Sequence, residues 1–207
     1  MALDHRRMIP PFDDSGCLPP GVHSATLAEI EARFGRESEL RRAQMESIGW
    51  MVELAKRAGV QRIVLNGSFV TDTMEPNDVD CVLLVGPRSR EYRAALRELR
   101  QGLPFLDLSV ARARAFDEYV HGLFAADRAG VPARRDDRGH TMELRNEREL
   151  ANTRQKLARL EALYEADEKE TGGDEELREI EIESLKRTIN QFREEIARYE
   201  ARHVVQR

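Results

Sequence analysis

Apolar positions recur along the chain with two periods, and the switches between them lay out its elements. From Glu37 to Ala58, Leu40, Ile48, Val52 and Ala55 return at helical intervals and Gly59 ends the pattern, which predicts a long amphipathic helix. Ahead of it, Thr26 followed by Glu29 makes a capping box and Gly35 supplies a stop, so "TLAEIEARFG" predicts a short helix. The runs "RIVLN" and "VDCVLLV" read as strands, the second ended by Gly86-Pro87. "SREYRAALRELRQ", 89–101, returns to the helical period with Tyr92, Leu96 and Leu99 on one face. "LPFLDLSV" alternates again, setting Phe105, Asp107 and Ser109 on one side and Leu106, Leu108 and Val110 on the other. "AFDEYVHGLFAADRAG" predicts a helix, and "VPARRDDRGH" a basic loop.

From about residue 145 the pattern changes for good. Leu150, Leu157, Leu160 and Tyr164 are spaced by seven, three and four; Ile182, Leu185, Ile189, Phe192, Ile196 and Tyr199 keep a strict three-four alternation. Gly172 and Gly173 interrupt the two stretches, which predicts an antiparallel helical hairpin of coiled-coil character. The whole reads as α+β: a small mixed-sheet domain with flanking helices over 1–140, then the hairpin over 141–207.

Composition narrows the classes. The chain has 207 residues and a formal net charge of -5, and residues 141–207 carry 13 Lys/Arg against 17 Asp/Glu, so most of the excess lies in the tail. An acidic chain is poorly suited to non-specific duplex DNA binding, which depends on neutralising phosphates. Cys17 and Cys81 have neither metal-ligand spacing nor the look of a disulfide framework, which points to a cytoplasmic location. No apolar run approaches the roughly 20 residues of a membrane span, so no membrane partner is expected. The opening "IPPFDDSGCLPPGVHSAT" is turn-rich, with Ile9, Phe12 and Leu18 to dock it on the surface.

The chemistry concentrates in "LNGSFVTDTMEPNDVDCVLLV". Residues i and i+2 of a strand share a face, so Asp78 and Asp80 point together while Val79 and Cys81 point toward the core. Two carboxylates so close repel unless a hard cation lies between them, and Mg²⁺ binds through one or two carboxylates plus substrate phosphates. Gly67 lets a backbone approach closely, and Ser68 with neighbouring N–H groups is expected to hold phosphate oxygens near a helix start. Asp107, on the polar face of the third strand, is the candidate that completes a three-carboxylate set.

"GSFVTDTMEPNDVD" resembles the Gly-Ser, spacer, Asp-x-Asp signature of DNA polymerase β-like nucleotidyltransferases, in particular the minimal ones. The resemblance covers roughly residues 8–145. It implies a nucleotidyltransferase fold in which Gly67 and Ser68 contact the nucleoside triphosphate (NTP) and Asp78, Asp80 and Asp107 ligate one or two Mg²⁺ ions, with Asp107 helping to deprotonate the attacking hydroxyl. With "MIPPFDDSGCLPPGVHSATLAEIEARFG" added, the chain also resembles an uncharacterised bacterial group of such proteins connected with toxin–antitoxin or mobile-element genes. Many relatives carry a basic residue just after Gly-Ser; here Thr71, Asp72 and Thr73 stand there.

Two functions follow as expectations. One is a Mg²⁺-dependent enzyme moving a nucleotide from an NTP to an RNA end or a protein hydroxyl, in toxin–antitoxin or phage-defence biology. The other is a degenerate nucleotidyltransferase fold acting as a binding module, an antitoxin or assembly factor, through its coiled coil. The hairpin at 145–207 is the candidate surface for a partner protein or self-association. On the 89–101 helix, Arg90, Arg93, Arg97 and Arg100 have no Glu four residues earlier, which leaves them free for an RNA backbone or an acidic protein, with Arg112, Arg114, Arg134, Arg135 and Arg138 added. His5, His23, His121, His140 and His203 make no metal pair and read as surface or packing residues.

Overall fold

The structure is a computed structural model that describes residues 9–86, 92–124, 144 and 146–204. Three strands, β1 (Arg62–Asn66), β2 (Val79–Leu84) and β3 (Leu106–Ala111), form one mixed sheet in the order β1-β2-β3. β1 runs antiparallel to β2, with Asn66 opposite Asp80, and β2 runs parallel to β3, with Asp80 opposite Asp107. The fold is α+β, with a helical pair at its C-terminal end.

Helices α1 (Leu27–Phe34) and α2 (Glu39–Arg57) precede the sheet. The capping box is formed on both sides: Thr26 Oγ1 accepts from Glu29 N at 3.2 Å, and Glu29 Oε2 accepts from Thr26 N at 2.7 Å. Between β2 and β3 lies α3 (Arg93–Arg100), the crossover that a parallel pair requires. α4 (Ala113–Asp117) passes into a wider π-type turn at Glu118–Leu123; the rest of the predicted helix after Phe124 and the 131–140 loop lie outside the described residues, as do Arg90, Arg134, Arg135, Arg138, His5, His140 and the side chain of Arg93.

Strand alternation divides the core in two. Val79, Cys81 and Leu83 of β2 and Leu108 and Val110 of β3 face Ile48, Met51 and Leu54 of α2 and Leu96 and Leu99 of α3. On the opposite face Val82 and Ala111 pack with Phe116, Tyr119 and Val120. β3 starts three residues later than the pattern predicts. Phe105 adopts φ +63°, the left-handed region that a side chain rarely enters, and Leu103 bridges back to Leu106, so a turn occupies 103–105.

The last two helices are α5 (Glu147–Lys169) and α6 (Glu175–Val204). Gly172 (φ +101°) and Gly173 (φ +75°) make the turn between them. Their antiparallel register is marked by Arg154 with Glu200, Glu161 with Arg193, and Tyr199 with Glu147. The hairpin is also packed on the sheet: Leu177 and Ile180 join the α2–α3 core, while Leu160, Leu163, Leu185 and Ile189 join the other. α6 therefore buries more than the seam its spacing predicts.

The polar residues of α6 explain the attachment. β3 is an edge strand, and an unpaired edge exposes N–H and C=O groups that need partners. Arg187 Nη1 donates to Leu108 O at 3.1 Å, Ser184 Oγ accepts from Val110 N at 3.2 Å, and Glu181 Oε1 accepts from Arg112 N at 2.9 Å. Positions 187, 184 and 181 step down one helix face as 108, 110 and 112 step along the strand. A guanidinium clamp reinforces them: Arg112 pairs with Asp167 at 3.1 Å, Glu170 at 2.7 Å and Glu181.

Two of the arginines of α3 are already paired within the chain. Arg97 pairs with Glu176 at 2.9 Å, and Arg100 with Glu183. Both of these acids lie in the chain's own tail, some 80 residues away, where no local sequence rule would look for them.

Candidate functional site

The first element of the site is the turn after β1. Gly67 sits at φ +79°, and a Cβ there would lie 2.2 Å from Asp80 Oδ2, so only glycine admits the carboxylate against the backbone. Ser68 opens a single 3-10 turn, Ser68–Val70, and not the helix expected there. A macrodipole needs several aligned peptides, so phosphate binding at this turn would rest on individual N–H groups and on the Ser68 hydroxyl, which takes no partner among the described residues. The turn closes on itself: Ser68 O accepts from Thr71 Oγ1 at 2.7 Å and from Thr71 N at 3.2 Å.

A stripe on α2 holds the chain between this turn and the acids. Arg41 is fully buried and its guanidinium donates to four carbonyls: Phe34 O at 2.9 Å, Phe69 O at 3.0 Å, Thr71 O at 3.0 Å and Thr73 O at 3.0 Å. Ser38 Oγ donates to Met74 O at 3.1 Å and Gln44 Nε2 to Pro76 O at 2.7 Å. Residues 38, 41 and 44 are spaced by three, so one helix face threads the whole 69–76 segment. These positioning residues are missing from the motif reading. Their trace in the sequence is a polar stripe on the inner face of an otherwise amphipathic helix.

Two of the candidate acids, Asp80 and Asp107, share the sheet face opposite Val79 and Cys81. Asp80 and Asp107 are register partners on adjacent strands, and Asp78 lies just before β2. Asp78 reaches solvent, yet burial of its carboxyl pushes its pKa up and Asp107 pushes it further. Burial also raises Asp107, opposed by the Arg187 guanidinium. The Cys81 thiol, raised by burial, feels Asp80, Asp107 and Asp78 together. The region thus carries a surplus of negative charge, which a cation would relieve.

The acids are not a preformed cage. Among the described residues no group of three or more His, Cys, Asp or Glu side chains is arranged to hold a metal ion. Asp80 is turned against Gly67, and Asp107 Oδ1 faces Arg187 Nη1 at 4.0 Å. What the donor set does fit is a Mg²⁺ held by one or two carboxylates and completed by substrate phosphates and water.

Polar groups back Asp107. Burial raises the Tyr119 hydroxyl, which is engaged by Ser109 and Thr188 and feels the charges of Asp107 and Arg187; its Oη lies 3.1 Å from Thr188 Oγ1. Phe105, two residues before Asp107, is 44% exposed despite its left-handed backbone, and its carbonyl accepts from Val79 N at 2.9 Å. Along the outer edge of β1 lies a cavity of about 390 Å³, bordered by Leu18, Val22, Phe34, Val64, Asn66 and Phe124. Asn66, which borders it, is the register partner of Asp80.

The remaining sequence candidates have ordinary surroundings. His23 is bonded to Pro19 O at 2.8 Å, and His203 to Tyr199 O at 2.8 Å, while His121 borders the cavity. Cys17 and Cys81 are free thiols. Among the described residues no helix is long and apolar enough to cross a membrane.

No curated protein and no solved structure matches the chain. Residues 10–139 match a family model described as a family of unknown function, DUF6932. That stretch contains the Gly-Ser turn, all three acids and the α2 stripe, and covers more than half of the chain, which therefore belongs to the DUF6932 family.

Proposed function

We propose that the acid face is the site of a Mg²⁺-dependent nucleotidyltransferase that moves a nucleotide from an NTP to a hydroxyl on an RNA end or a protein. The observation that carries the reading is the in-register pairing of Asp80 and Asp107 on adjacent strands, with Asp78 just before β2 within electrostatic reach of Asp107 and Asp80 packed on the backbone of Gly67. Asp78 and Asp80 would hold the cation with the substrate phosphates. When bound, it would neutralise charge on the transferring phosphoryl group and its leaving oxygen.

The chain's own groups supply the rest. Gly67 and Ser68 would orient the triphosphate, and the stripe Ser38, Arg41 and Gln44 keeps that turn at a fixed distance from the acids. Asp107, its pKa raised by burial, is suited to take the proton of the acceptor hydroxyl. The acceptor oxygen then bonds to the α-phosphorus, the bond from that phosphorus to the bridging oxygen breaks, and pyrophosphate departs. The cavity beside Asn66 lies within the size range of ligand pockets.

Incubating the protein with Mg²⁺, each labelled NTP and total RNA or cell extract tests this. Asp80→Ala should reduce incorporation at least about 100-fold; incorporation equal to that of the wild type refutes the assigned site. The second reading, a nucleotidyltransferase-like binding module without turnover, is favoured by the pairing of Asp107 with Arg187 and by the absence of a three-acid group among the described residues. It predicts no incorporation by the wild type and no calorimetric NTP binding, with a partner protein retained on the hairpin.

A further inference from the structure

We infer that Arg187, carried by the C-terminal helix, is a phosphate-binding residue of the acid site, so that the hairpin takes part in substrate recognition. This rests on the nucleotidyltransferase reading and adds a residue to it from outside the motif-bearing segment.

Arg187 lies at the edge of the acid site with its charge only partly engaged. Nη1 is held by Leu108 O at 3.1 Å and stands 4.0 Å from Asp107 Oδ1, longer than the roughly 2.7–2.9 Å of a direct charged hydrogen bond. Nε and Nη2 take no partner among the described residues, and the side chain is 48% exposed. It is thus anchored at one nitrogen and open at the others, while the nearby arginines of α3, Arg97 and Arg100, are paired with Glu176 and Glu183.

The placement suits a phosphate chain. Gly67 and Ser68 lie on the β1 side of Asp80, and Arg187 lies on the β3 side of Asp107. A polyphosphate held at the turn and led across the two in-register acids meets the guanidinium at its far end. The planar fork of donors matches two oxygens of one phosphate. Its own bond to Leu108 O fixes its position at the end of the ladder, while Ser184 and Glu181, both earlier on α6, hold the rest of that helix face on β3.

A purely structural Arg187 would serve only as the first of those rungs, and the test separates the two roles. Full-length protein is titrated calorimetrically, in Mg²⁺, with tripolyphosphate and with a non-hydrolysable NTP analogue, and Tm is measured in parallel. Arg187→Gln should weaken both ligands about ten-fold or more, and Arg187→Lys should recover part of the loss because it restores the charge without the fork. Ser184→Ala removes a neighbouring rung, so it should lower Tm and leave affinity unchanged. Affinity within about two-fold of wild type for both Arg187 variants, while Asp80→Asn abolishes binding, overturns this inference and leaves the acid site standing. Absence of triphosphate binding by the wild type removes both. Should Arg187→Gln not fold, Arg187→Met takes its place: affinity within about two-fold of wild type for both ligands overturns the inference.

Discussion

Replacing Arg112 by leucine removes the countercharge that holds the hairpin to the sheet. Its guanidinium serves Asp167, Glu170 and Glu181, and its main-chain N–H also bonds to Glu181. Glu170 is exposed, and its share is about 0.2–1 kcal/mol. Asp167 and Glu181 are only 5% and 2% exposed, and removing the partner of a buried charge costs about 3–5 kcal/mol. Protonation would recover part of this, because burial already pushes both acids up while Arg112 pulls them down. Arg114 remains to favour the ionised form of Asp167. The expected loss near neutral pH is therefore about 3 kcal/mol, or a Tm lower by about 6–12 °C for a chain of this size. Acids whose folded pKa lies above the unfolded value stabilise the native state fully below the unfolded pKa, and that contribution is lost as pH rises through the folded one. Losing Arg112 raises both folded pKa values further, so the variant's deficit should shrink as pH falls from about 7 to about 5. Urea melts at the two pH values measure it. A deficit under about 1 kcal/mol, or one that grows on acidification, refutes the countercharge role.

Two other substitutions address the site itself. Gly67→Ala adds a Cβ 2.2 Å from Asp80 Oδ2 at φ +79°, so it should cost about 1–3 kcal/mol and displace the carboxylate; a melt and a Mg²⁺-NTP titration identical to wild type would show that the contact is loose. Arg41→Lys keeps the charge but cannot span four carbonyls, and orphaned buried acceptors cost about 1–3 kcal/mol each before relaxation; a urea melt should show a loss of about 2–3 kcal/mol, and one under about 0.5 kcal/mol would mean that the 69–76 segment holds itself.

Local chemistry was readable in the sequence and distant pairing was not. The capping box at Thr26 and Glu29, the strands at 62–66 and 79–84 and the Gly172-Gly173 turn all depend on residues a few positions apart. The start of β3 was missed because nothing in "LPFLDL" announces that Phe105 will take a left-handed backbone. Arg41 was missed because an arginine in an amphipathic helix is ordinarily solvated, and its partners lie 28 to 32 residues onward except Phe34. Arg97 and Arg100 of α3 look unclaimed in the sequence for the same reason, since their acids follow about 80 positions later. Glu181, Ser184 and Arg187 fall outside the apolar seam and become informative only once β3 lies beside them.

The three rungs between α6 and β3 bear on how this protein can be shortened. A chain stopping before the hairpin would leave Leu108 O, Val110 N and Arg112 N along a bare margin, the kind of surface that recruits a strand from another molecule. Such a fragment should precipitate or associate with itself, not behave as a smaller monomer.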